Sequence, residues 1–138
     1  MKLEADYKTE LVKEAKRRGY FARRVEDRFG VGFPDMVIRV PHLPPAFVEA
    51  KRIEKGRTIF GPSDRQLIDL EALNEPPMSF GIVLGIDPWY LMDGTITYHF
   101  SPPKKVVEIN SPTLFHSTDF FLGLIKYMKV ATQDAQRT

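Results

Sequence analysis

Cysteine is absent from all 138 residues, so neither a disulfide nor a thiolate-bound metal can support this chain. That absence fits a reducing compartment. Long apolar runs are missing as well: the most apolar late stretch, FFLGLIKYMKVA (120–131), is broken by Lys126 and Lys129, which excludes it as a membrane span. The opening MKLEADYKTELVKEAKRRGY is charged throughout and lacks the apolar core of roughly 7–15 residues that a secretory signal carries. A cytoplasmic protein, cellular or viral, is therefore expected, with no membrane partner. No Gly-rich phosphate loop is present, because GRTIFGPSD has no lysine to complete one. Repeats, low-complexity tracts and linkers are also lacking, and 138 residues at 43% apolar composition suit one globular core.

What is there is unevenly charged. The net charge is +2, yet residues 1–57 hold 14 Lys/Arg against 9 Asp/Glu, whereas residues 58–138 hold 6 against 9. A basic half suits a polyanionic partner, although clustered cations are more often just a solvated face.

The local pattern predicts a helix from Lys2 to about Arg18, free of Gly and Pro and stopped by Gly19. At 100° per residue, Tyr7, Leu11 and Ala15 form its apolar centre. Glu4 falls inside that centre, Glu14 just off it and Glu10 at its edge. YFARRVED, DMVIRV and AFVEAK read as strands; the last two are separated by PHLPP and are expected to pair antiparallel. RIEKGRTIFGP reads as a polar, mobile loop leading to a second helix over about 63–74, capped by Ser63 and apolar at Leu67, Leu70 and Leu73. FGIVLGI is a buried strand, parallel to its predecessor through the intervening helix. WYLMDGTITYHF suggests a hairpin around Asp93-Gly94, and STDFFLGLIKYMKV a terminal helix with Asp119 at its start and Lys126 and Lys129 near its end. The order αβββαβ, followed by an accessory hairpin and helix, predicts an α/β sandwich around a small mixed sheet.

Within GFPDMVIRVPHLPPAFVEAK (32–51), Asp35, Glu49 and Lys51 stand in strand-like sequence otherwise apolar. Alternation puts Glu49 and Lys51 on one side of their strand, and pairing of the strands would bring Asp35 to the same end. Two carboxylates that close in apolar surroundings must take up a proton or share a cation. Asp35, Glu49, the Ala50 carbonyl and waters match the oxygen ligands of Mg²⁺ or Mn²⁺. Lys51 is placed to orient or deprotonate a water attacking phosphorus. The plainer reading is a surface ion pair between Glu49 and Lys51, with Asp35 capping a turn. Arg23, Arg24, Arg28, Arg52, Lys55 and Arg57 are candidate DNA contacts, with Phe60 or Trp89 as stacking surfaces. His42, His99 and His116 show no ligand spacing and are expected to be structural or exposed.

PD at 34–35 followed by EAK at 49–51 resembles the PD-(D/E)xK nuclease superfamily. EADYKTELVKEAKRRGYFARRV, GVGFPDMVI, FVEAKR and PSDRQLIDLEAL look most like successive blocks of its virus-type replication-repair nuclease (VRR-NUC) group, whose phage members are small single-domain proteins. The likeness covers about residues 4–86. It implies a restriction-endonuclease-like core over about 1–86, an accessory region over about 87–138, and metal-dependent endonuclease activity on DNA. It makes Asp35 and Glu49 metal ligands, Lys51 the catalytic lysine, Gln66 a site residue, and Glu4 the acidic residue of the first helix and a further ligand around one or two metal ions, with Glu10 in reserve. Ser63-x-x-Gln66 is equally a capping box. The neighbouring possibilities are a Holliday-junction resolvase of the same superfamily, for which a homodimer would be needed, and a non-catalytic nucleic-acid-binding module that keeps the fold. The long PHLPP connection and the C-terminal third depart from the group, which leaves the choice among duplex, branched and single-stranded DNA open.

Overall fold

The protein is described here by a computed structural model, which describes residues 2–25, 32–56, 58–111 and 114–137. The first helix, α1 (Glu4–Arg17), ends at Gly19, whose φ of +79° is the left-handed turn that stops a helix. It is followed by β1 (Phe21–Arg24), β2 (Met36–Arg39) and β3 (Ala46–Arg52). Then come β4 (Ile59–Phe60), α2 (Asp64–Leu73), β5 (Phe80–Met92), β6 (Thr95–Ser101), β7 (Val107–Glu108), β8 (Phe115–Ser117) and α3 (Phe120–Gln136). Among the described residues no helix is long and apolar enough to cross a membrane.

The six-stranded sheet runs β1-β2-β3-β5-β6-β8, and only the β3–β5 pair is parallel, joined by the crossover that contains α2. The expected antiparallel pairing of β2 with β3 is present, with Met36 opposite Val48 and Ile38 opposite Ala46. One sheet face carries Ala46, Val48 and Ala50 of β3 with Ile82, Leu84 and Ile86 of β5. It packs under α1 and α3 in a core with Tyr7, Leu11, Phe100, Phe121 and Leu124. Each such large buried apolar side chain contributes about 1.5–3 kcal/mol. The opposite face has a smaller cluster in which Leu70 of α2 meets Val83, Val107 and Leu114. By alternation this second face also carries Glu49 and Lys51, whose strand neighbours Val48 and Ala50 point into the main core.

Several expectations need correction. Ile59 and Phe60, read as part of a polar loop, form β4 and pair with β7, because Phe60 packs against the Leu70 cluster. The terminal helix continues to Gln136, so Lys126 and Lys129 lie in its middle and not at its end. The C-terminal third is more than a hairpin and a helix: β7 and β8 add to it, and α3 shares one core with β3 and β5. The buried strand at FGIVLGI does not stop there but runs on to Met92. Pro88 lies in a bulge between Asp87 and Leu91, where no ladder N–H is needed. The β5–β6 hairpin does turn at Asp93 and Gly94, with φ of 54° and 77°, a pair of positive values that matches the twist of the flanking strands.

Candidate active site

Asp35, Arg24, the Lys51–Arg52 end of β3 and Asp87 all emerge at one end of the sheet. Arg24 pairs with Met36, and the parallel β3 and β5 finish on the side where the antiparallel β2 begins. Here β2 has given way to the Gly32–Pro34 approach, so β3 has edge N–H groups without strand partners. Two carboxylates take them. The Asp35 Oδ2 accepts from Ala50 N at 3.0 Å, and the Glu4 Oε1 accepts from Arg52 N at 2.9 Å. Because the N–H and C=O of one strand residue point to the same edge, the Ala50 carbonyl faces the Asp35 side too.

Lys8 joins the two carboxylates, with Nζ 2.9 Å from Asp35 Oδ2 and 3.2 Å from Glu4 Oε2. Its side chain is only 9% exposed. Burial alone would lower its pKa, but hydrogen bonding and charge from Asp35 and Glu4 outweigh burial and raise it. Sequence reading missed this residue. The signal was available, since Lys8 lies on the face of Tyr7, Leu11 and Ala15, where a cation requires a partner.

Glu49 is fully buried. Written as a carboxylate it has no hydrogen-bond donor for either oxygen among the described residues. Burial, then the facing Asp35, push its pKa to about 9, against a smaller opposing pull from Lys51 and Lys8. A carboxyl so shifted favours its protonated form at neutral pH, with the facing Asp35 as the group that would accept the proton. Asp35 is also partly buried, which opposes its ionisation, yet the bonds from Glu49, Lys8 and Ala50 N prevail and hold its pKa below the usual value. The two acids behave as a pair sharing one proton, and a cation is the alternative occupant of that place. Lys51, half-buried, follows Glu49 on the same side of the strand.

Glu4 reaches this pair through Lys8 and does not complete a three-carboxylate cluster: among the described residues no group of three or more His, Cys, Asp or Glu side chains is placed to hold a metal ion. Glu10 is turned away, paired with Lys2 at 2.7 Å on the surface. Gln66 forms the reciprocal cap of α2, its Oε1 accepting from Ser63 N at 2.9 Å while Ser63 Oγ accepts from Gln66 N.

Of the candidate DNA contacts, Arg23 and Arg24 are exposed on edge strand β1, and Arg24 donates to Thr9 Oγ1 at 3.1 Å. The half-buried Arg52 closes β3, and Lys55 holds its ammonium 5.3 Å from the centre of the Trp89 ring. Arg28 and Arg57 lie outside the described residues.

No family model matches the chain, and no curated protein matches it. Among solved structures, it is similar to Archaeoglobus fulgidus Hjc, a Holliday junction resolvase from an archaeal hyperthermophile, at a TM-score of 0.51 and 19% identity. The match covers 71% of this chain and 75% of that one. The likeness is one of fold, and it accords with the restriction-endonuclease-like mixed sheet flanked by helices that the sequence led us to expect.

Proposed function

We propose that the chain is a divalent-metal-dependent nuclease that hydrolyses phosphodiester bonds in DNA, with branched DNA as its preferred substrate. One observation carries the reading: Glu49, fully buried and, among the described residues, without a donor, faces Asp35 two residues before Lys51 on the same side of β3. A stability-driven core would not retain an acid that must hold a proton to stay there. The donor set fits a hard cation, with Asp35, Glu49 and the Ala50 carbonyl as the residues that would hold Mg²⁺ or Mn²⁺. When bound, such an ion polarises the phosphoryl oxygen and acidifies a water. Asp35 and Glu49 then act as ligands only after the shared proton has left. Lys51 holds or moves a proton at the attacking water, or compensates the charge that grows on phosphate. Glu4 and Lys8 keep Asp35 aimed by a chain of ion pairs that ends on the Arg52 N–H. Arg23, Arg24, Arg52 and Lys55 take backbone phosphates, and the same role is assigned from sequence to Arg28 and Arg57.

The preference for branched DNA is supported by the fold likeness to a resolvase. The sequence blocks support the narrower VRR-NUC assignment and a phage-type, single-domain enzyme working in a host cytoplasm. Symmetric cutting of a four-way junction would require two copies, so a homodimer on DNA belongs to this reading.

One feature favours a rival: Lys8 already supplies Asp35 with a cation, as a non-catalytic DNA-binding module that kept the fold would need. The deciding experiment incubates the protein with supercoiled plasmid and labelled duplex, flap and four-way-junction DNA in Mg²⁺, Mn²⁺ or EDTA, beside Asp35→Ala and Lys51→Ala. Metal-dependent cleavage lost in both variants, with branched DNA cut fastest, is the expected result. Binding without products under every condition would establish the rival.

A further inference from the structure

The second sheet face carries another polar group, two strands from the site already described. Lys51 is in register with Gly85, Gly85 with His99, and His99 with His116, so a single row crosses β3, β5, β6 and β8. At about 4.8 Å per strand the backbone of His99 is roughly 10 Å from that of Lys51. Gly85 leaves room between them for Phe60: a Cβ there would meet the Phe60 ring at 2.9 Å. The His99–His116 end of this row borders a cavity of about 290 Å³ whose lining includes Asp87, Tyr90, His99, Asn110, Ser111 and His116.

His99 is the unusual member. Its side chain is 4% exposed, and its Nε2 lies 3.2 Å from Asp87 Oδ2. The other Asp87 oxygen accepts from both Trp89 N and Tyr90 N at 3.0 Å, as an Asx turn that the bulge of β5 creates. A carboxylate so engaged can only accept from the ring, so the proton sits on Nε2 and the lone pair on Nδ1. Burial, opposed by Asp87, lowers the His99 pKa and keeps the ring neutral. Nδ1 is thus a buried acceptor with a fixed tautomer, and among the described residues it has no hydrogen-bond partner. Two aromatic rings stand beside it, Tyr90 at 6.4 Å and His116 at 5.8 Å between centroids.

We propose that this cavity receives an unpaired nucleobase of the DNA substrate, with His99 Nδ1 accepting a hydrogen bond from the base and Tyr90 and His116 offering stacking faces. The proposal rests on the nuclease reading for the identity of its ligand and deepens it, since unpaired bases occur where DNA branches or ends. The chemistry selects against the alternatives. Among the described residues no lysine or arginine lines the cavity, which disfavours a phosphate there. Only two imidazoles meet there, and no trio of His, Cys, Asp or Glu among the described residues is placed for a metal. At about 290 Å³ the cavity lies just below the roughly 300–1,000 Å³ usual for small-molecule sites, a size for one ring system. Aromatic faces with few fixed polar groups are how proteins hold single bases.

The test is fluorescence anisotropy in EDTA with flap and four-way-junction DNA in which a single abasic site is moved one nucleotide at a time through the region of cleavage. For the wild type, one position should lose about tenfold in affinity, the size expected when one stacked base is removed. His99→Gln keeps an amide donor for Asp87 but has no atom at Nδ1, and Tyr90→Ala removes only a rim ring; in both, the abasic penalty should fall below about twofold. Equal affinity at every position, or an undiminished penalty in both variants, would overturn the proposal. So would micromolar Zn²⁺ binding that His99→Gln abolishes without any abasic effect, which would make this a metal site. Cleavage without abasic sensitivity rejects the pocket and keeps the nuclease. Abasic sensitivity without cleavage in Mg²⁺ or Mn²⁺ keeps the pocket and rejects the nuclease, while absence of DNA binding rejects both.

Discussion

Replacing Glu49 by Gln should remove a pH dependence of stability that the wild type carries in the absence of divalent ions. In the folded protein the Glu49 pKa is about 9 against an ordinary 4.5, so between those values the native state holds a proton that the unfolded chain has released. Stability then falls as pH rises, by about 1.4 kcal/mol per unit for one proton. Two other groups must be kept out of the window. His99 has a depressed pKa, and the stability it contributes is complete above the ordinary value of 6.5. Lys8 has a raised pKa, and its contribution is lost only above the ordinary value of 10.5. From about pH 7 to pH 8.5 Glu49 therefore acts alone among the shifted groups, and the expected loss is about 2 kcal/mol. Urea denaturation followed by circular dichroism in EDTA measures it at several pH values. Glu49→Gln, which keeps a donor toward Asp35 but cannot ionise, should show little slope. Equal slopes for variant and wild type would show that Glu49 is ionised in the folded protein and that the shared-proton account is wrong.

Lys8→Met should cost about 2–4 kcal/mol in urea denaturation, toward the lower end because Asp35 and Glu4 are 26% and 37% exposed; an unchanged midpoint would mean the ion pairs contribute nothing. Ser63→Ala and Gln66→Ala should each lower stability by about 0.5–2 kcal/mol through the cap of α2. Only Gln66→Ala should also slow cleavage, and equal activity in the two would reduce Gln66 to a capping residue. Lys51→Ala should reduce cleavage by about 10²–10⁴-fold with the melting temperature nearly unchanged, whereas unfolding would indicate a structural ion pair. Gly81→Ala would place a Cβ 2.2 Å from the Leu70 carbonyl, so α2 must move off β5; we expect a loss of about 1–3 kcal/mol in thermal melts, and a normal melt would contradict that close approach.

Local chemistry made the caps, turns and strand alternation legible wherever they fall in the chain. Gly19, Ser63 and the Asp93-Gly94 pair mark turns through backbone rules that hold whatever surrounds them, and alternation alone put Glu49 beside Lys51. Asp35 could be placed because one antiparallel pairing, over a short connection, fixes its partner. Elements that depend on distant packing were not legible. Ile59–Phe60 is a strand only because β7 arrives from much later in the chain. The extension of β5 past Asp87-Pro88 was hidden by a proline that a bulge accommodates. Likewise His99 and His116 appear unrelated in sequence and become neighbours only when β8 joins the sheet edge. Lys8 was legible and overlooked: the same helical projection that picked out Glu4 places the lysine one turn along.

The two carboxylates that occupy the bare edge of β3 bear on how the proposed activity could be lost over generations. Asp35 and Glu4 each hold a backbone N–H as well as Lys8, so a mutation at either unsettles the end of the sheet. Lys51 is half-buried, and among the described residues its side chain holds no backbone N–H or ion pair of that kind. On the proposed nuclease reading, a lineage drifting away from catalysis would shed Lys51 first and keep the rest as architecture, so the lysine is the position at which a retired copy could be told from a working one.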